Sequence, residues 1–87
     1  MEQILQSKIK LRLKAMGWIV VKTIKLSESG YPDLFCFRNG ETMFIEVKDK
    51  NGIVSEIQHY RINELIKSGF KCYIIYSIEQ FNGIFGN

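Results

Sequence analysis

Asp33, Glu46 and Lys48 are charged residues in apolar company. They sit within the segments Gly30-Tyr31-Pro32-Asp33-Leu34-Phe35 and Phe44-Ile45-Glu46-Val47-Lys48. Between them lies Asn39-Gly40, the strongest short signal for a two-residue β-hairpin loop. With that loop, Arg38 faces Glu41, Phe37 faces Thr42 and, counting on, Asp33 faces Glu46. Directly opposed residues have Cβ atoms roughly 4.5–5.5 Å apart on one face of the sheet, where like charges repel. Alternation puts Lys48 on that face as well. A divalent cation would relieve the repulsion, and Mg²⁺ prefers carboxylate ligands while keeping waters that chemistry can use. A structural reading stands beside this one. Asp33 follows Pro32 and could be a loop residue, Glu46 and Lys48 could form a solvated edge pair, and a bulge would break the register.

The elements that must position these residues can be read from periodicity. Residues 1–17 form a helix ending near Gly17, with Leu5, Ile9, Leu13 and Met16 as one stripe. WIVVKTIK is a β-rich run, LSESGYP a loop, and DLFCFR and ETMFIEVK the two arms of the hairpin. KDKNGIV is a loop, and Ser55 opens a second helix running to about Ser68, with Gly69 as its stop. KCYIIYS is expected as a buried strand and IEQFNGIF as a short terminal helix. The order α-β-β-β-α-β predicts a mixed sheet flanked by helices, with three antiparallel neighbours and a right-handed strand–helix–strand crossover.

Each helix carries one further polar residue on its apolar stripe. Glu2 precedes Leu5 by about one turn, where an acid also compensates the helix dipole. Gln58 shares a stripe with Ile62 and Leu65, and Ser55-x-x-Gln58 also spells a capping box. Both would project toward the sheet from helix N-termini, positions that favour phosphate.

Eighty-seven residues are expected to make one domain, residues 1–87, too short for two cores. The 46% hydrophobic and 24% charged fractions exclude a disordered chain. A net charge of +3 permits a polyanionic partner without demanding one. Cys36 and Cys72 form no CxxC pair, and two Cys and one His cannot furnish a zinc site with its four ligands. They are expected as reduced core thiols of a cytoplasmic protein. No apolar run approaches the ~20 residues of a membrane span. His59, alone in the second helix, is expected at the surface.

The residues Glu2-Gln3, Gly30-Tyr31-Pro32-Asp33-Leu34, Phe44-Ile45-Glu46-Val47-Lys48 and Val54-Ser55-Glu56-Ile57-Gln58 together resemble the virus-type replication-repair nuclease (VRR-NUC) domain. That domain is a branch of the PD-(D/E)XK endonuclease superfamily, with a restriction-endonuclease-like α/β core. Pro32-Asp33 matches the PD, and Glu46-Val47-Lys48 matches the ExK. The resemblance runs from Glu2 to Ser77-Ile78-Glu79 and implies a metal-dependent DNA endonuclease. By it, Asp33, Glu46 and the Val47 carbonyl would hold Mg²⁺ or Mn²⁺. Lys48 would orient or activate the attacking water and stabilise charge on the phosphate. Glu2 would hold a second ion or a water, and Gln58 would position the water or the scissile phosphate.

Stand-alone members of the family act on Holliday junctions, so the resemblance also implies branched DNA as partner and a homodimer with two active sites. Lys22 and Lys25, leading into the loop before Asp33, are the better candidates for phosphate contact, with Ser55 and Gln58 at the second helix. Lys8, Lys10, Arg12 and Lys14 flank both sides of the first helix's stripe and read as solvation. Ile4, Leu11 and Ala15 make a second apolar seam, and Phe81, Ile84 and Phe85 look too apolar for a free tail. Together these motivate a dimer surface. A non-cleaving nucleic-acid-binding module of the same fold is the alternative function, and a small interaction protein a third.

Overall fold

The computed structural model describes residues 1–86. Helix α1 (Glu2–Ala15) leads into strands β1 (Ile19–Lys22), β2 (Leu34–Arg38) and β3 (Glu41–Val47). Helix α2 (Glu56–Lys67), strand β4 (Lys71–Ile75) and helix α3 (Ile78–Phe85) follow. The sheet order is β1-β2-β3-β4, antiparallel except for the parallel β3–β4 pair that the α2 crossover requires. This is a mixed α/β fold with a four-stranded sheet flanked by helices.

The β2–β3 corner follows from its residue types. Asn39 and Gly40 both take positive φ, at 49° and 77°, the combination a two-residue hairpin needs to match strand twist. Arg38 then pairs with Glu41 and Leu34 with Ile45. Because strand side chains alternate, that register assigns every residue of β3 to a face. Met43, Ile45 and Val47 point to one side, into a core with Ile9 and Leu13 of α1, Leu34, Cys36, Ile75 and Phe81 of α3. Phe44 and Glu46 point to the other side, toward α2, where Phe35, Phe44 and Phe70 meet edge to face. On that side the β1–β2 half is open, with Ile19 65% exposed and Val21 and Phe37 also exposed.

Three expectations need correction. The β-rich run after Trp18 is a strand only as far as Lys22; one further bond in the same register, from the Thr23 N–H to the Asp33 carbonyl at 2.8 Å, ends the pairing. Strand β4 is an edge strand in which only Ile75 is fully buried, since β3 is its single neighbour. The α3 aromatics are not a free apolar surface: Phe81 is fully buried and Phe85 packs on Phe81 and Tyr73. Cys36 is buried and Cys72 half-buried, both free thiols. Burial pushes them up to about 12 and about 11, with the Glu46 carboxylate adding to the rise at Cys72. No helix among the described residues is long and apolar enough to cross a membrane.

Candidate active site

The β2–β3 ladder ends at Leu34 and Ile45, and the next residue on β2's side is Asp33. Its carbonyl accepts from the Thr23 N–H at 2.8 Å and from Thr23 Oγ1 at 3.2 Å. With the main chain held in this way, the carboxylate turns across the end of the ladder, and Oδ2 accepts from the Val47 N–H at 2.9 Å. Asp33 is thus fixed to β3 beside Glu46, rather than free in a loop.

Among the described residues Glu46 is the one charged residue that is buried, at 1% exposure. It points to the α2 side because it alternates with Ile45 and Val47, which face the main core. Its Oε2 accepts from Gln58 Nε2 at 3.0 Å and lies 3.5 Å from Lys48 Nζ. Its Oε1 is buried with no hydrogen-bond partner among the described residues. The carboxyl is raised from 4.5 to about 7, chiefly by burial, with Asp33 and to a smaller degree Glu2 adding to the rise and Lys48 opposing it. An orphaned buried carboxylate oxygen beside a second acid is costly unless a cation satisfies it.

Gln58 reaches Glu46 from the first turn of α2. Its other amide atom, Oε1, accepts from the Ser55 N–H at 2.9 Å, while Ser55 Oγ accepts from the Gln58 N–H. The capping box and the contact to the site coexist in one side chain. Lys48 is half-buried, and its stem packs on Gly52, where an added Cβ would lie 3.1 Å from Lys48 Cβ. Glu2 is half-buried in the first turn of α1, near enough to act on Glu46 electrostatically. Among the described residues no three His, Cys, Asp or Glu side chains gather as a metal cluster. Lys22 and Lys25 are exposed, on the end of β1 and in the loop after it, and His59 is exposed on α2.

Sequence reasoning missed Thr23, Gly30, Gly52 and Arg61. A Cβ on Gly30 would lie 2.7 Å from Ile57, and Gly30 takes φ +90°. The Gly-Tyr-Pro run before Asp33 and the three-residue spacing from Gln58 to Arg61 were the available signals. Neither reveals a partner distant in the chain.

The donor set suits a hard divalent cation: two acids, one of them with an unpartnered buried oxygen. The fold is that of a nuclease domain. The family model described as VRR-NUC domain matches residues 1–79. A solved structure described as a VRR_NUC domain is 29% identical, covers 95% of this chain and 91% of its own, and superposes with a TM-score of 0.87. The chain belongs to the VRR-NUC domain family. No curated protein matches it.

Proposed function

We propose that this chain is a metal-dependent, structure-selective DNA endonuclease, a single domain that resolves Holliday junctions as a homodimer in the cytoplasm. The observation that carries the reading is Glu46: a buried carboxylate with one oxygen unpartnered, held among Asp33, Lys48 and Gln58. Asp33, Glu46 and the Val47 carbonyl would hold Mg²⁺ or Mn²⁺. Such an ion lowers the pKa of water and neutralises charge developing on a phosphodiester.

The chain's own groups do the rest. Lys48, its amine 3.5 Å from Glu46, supplies a fixed positive charge for the phosphate and a donor to orient the attacking water. Gln58 holds Glu46 Oε2 by its amide N–H, and so leaves Oε1 as the free ligand. Ser55 and the α2 N-terminus lie beside it, where a phosphate is favoured. Glu2 adds negative field at the site's rim. Lys22 and Lys25 are exposed cations for the flanking backbone. Supporting a dimer, α1 and α3 leave a groove lined by Lys8, Leu11, Arg12, Ala15 and Ile78, with Ile4 and Ile84 exposed.

A synthetic four-way junction incubated with Mg²⁺, against flap, fork and duplex controls, tests the proposal. Paired nicks across the junction are expected, abolished in Glu46→Ala and Lys48→Ala. Junction binding without metal-dependent nicking would instead identify a non-cleaving module. Sedimentation showing only monomer at micromolar concentration would remove the dimer and the resolvase assignment with it.

A further inference from the structure

We infer that Arg61 is a positioning residue: it fastens the loop preceding Asp33 to α2, and so sets where the Asp33 carboxylate stands relative to Glu46. The inference rests on the nuclease reading of the site. Arg61 lies one turn after Gln58 on the same face of α2, and its side chain is only 15% exposed. Its Nε donates to the Ser29 carbonyl at 3.0 Å. Its guanidinium lies 5.0 Å from the Tyr31 ring centroid and 5.3 Å from that of Tyr60. Glu28 and Glu64 approach it at 4.0 and 3.5 Å. Those two acids are well exposed, so their ion pairs contribute little; the fixed elements are the bond to Ser29 and the cation–π contact with Tyr31.

Between these contacts, Gly30 lies flat against the Ile57 backbone, with no room for a Cβ. Three successive loop residues are therefore held on α2. Two residues later the chain reaches Asp33, through Pro32, which is fully buried and whose carbonyl accepts from Thr23 Oγ1 at 3.0 Å. Little slack remains between Tyr31 and Asp33. The same helix thus grips both halves of the site: Gln58 holds Glu46 on β3, and Arg61 holds the approach to Asp33. Lysine would keep the charge, but it cannot combine a guanidinium over the Tyr31 ring with a directed Nε–H to Ser29.

The test uses the full chain as wild type, Arg61→Met, Arg61→Lys and Gly30→Ala. Amide hydrogen exchange is read at Thr23 and Val47, whose N–H groups bond to Asp33, and at Ile9 and Leu13 of α1. Mn²⁺ affinity is read by calorimetry, and single-turnover cleavage and junction binding are measured separately. All three variants should speed exchange at Thr23 and Val47 while leaving Ile9 and Leu13 unchanged. Mn²⁺ affinity and the single-turnover rate should each fall about tenfold or more, as for other groups that orient metal ligands, with junction Kd within about twofold. Exchange rising equally across α1 would show a merely structural residue and overturn the inference, as would unchanged affinity and rate. Should the wild type neither bind Mn²⁺ nor cut, the nuclease reading falls, and this assignment to catalysis falls with it. Wild-type binding and cutting with unaffected variants removes Arg61 alone.

Discussion

Gln58 Nε2 donates to Glu46 Oε2 at 3.0 Å while Gln58 Oε1 accepts from the Ser55 N–H, so one amide joins the start of α2 to the buried acid of β3. Gln58→Ala removes both bonds. The loss of a hydrogen bond to a charged group and of one arm of a capping box should cost about 2 kcal/mol in urea denaturation. Gln58→Glu keeps the acceptor for Ser55 but sets an acid against Glu46. Its metal-free stability should drop further at pH 8, and Mg²⁺ should restore more of it than in the wild type. Equal Mg²⁺ responses in the two proteins would show that the amide does not face the charged oxygen.

The buried acid also fixes a pH dependence. Glu46 keeps its proton to about pH 7 in the folded chain but only to about 4.5 when exposed. Between those values the folded state holds more protons, so stability falls as pH rises. At about 1.4 kcal/mol per pH unit, the metal-free protein should lose about 3 kcal/mol across that window relative to Glu46→Gln. Titrating groups that do not interact with Glu46 are shared by the two proteins and cancel in the difference. Parallel stability curves from pH 4 to 8 would refute the assignment.

Asp33 contributes a charge and an acceptor, which substitution can separate. Asp33→Asn can still accept from the Val47 N–H, but it removes a negative charge that makes Glu46 harder to ionise. Without metal at pH 8 it should be at least as stable as the wild type, and Mn²⁺ should no longer raise its Tm. Asp33→Ala also loses the acceptor and should fall by about 1–3 kcal/mol. A preserved Mn²⁺ shift in Asp33→Asn would take Asp33 out of the ligand set.

What could be read from the sequence was local. Asn39-Gly40 prescribes two positive φ angles, and those prescribe the register that brings Asp33 beside Glu46. Ser55-x-x-Gln58 prescribes a capping box, and Leu5, Ile9, Leu13 and Met16 prescribe a face. What escaped depends on tertiary partners. Arg61 meets residues about thirty positions earlier, and nothing in its neighbours' spacing announces that. The run KCYIIYS has the same pattern whether its strand is central or at an edge. The apolar residues of α3 call for cover, but periodicity does not say whether the cover is α1 and β4 or a second chain.

That last ambiguity separates into two measurable effects. Phe81 is fully buried between α1 and the sheet, so Phe81→Ala should cost about 3–5 kcal/mol. Ile84, one turn on, is 41% exposed, and Leu11 on α1 is more so. Ile84→Ser and Leu11→Ser should leave unfolding of the single chain within about 0.5 kcal/mol. If two copies meet across α1 and α3, these same exchanges should weaken self-association at least tenfold by sedimentation, since burying each side chain stabilises by roughly 1.5–3 kcal/mol. A dimer indifferent to both would place the interface elsewhere, with the open Ile19–Val21–Phe37 face of the sheet as the next surface to alter.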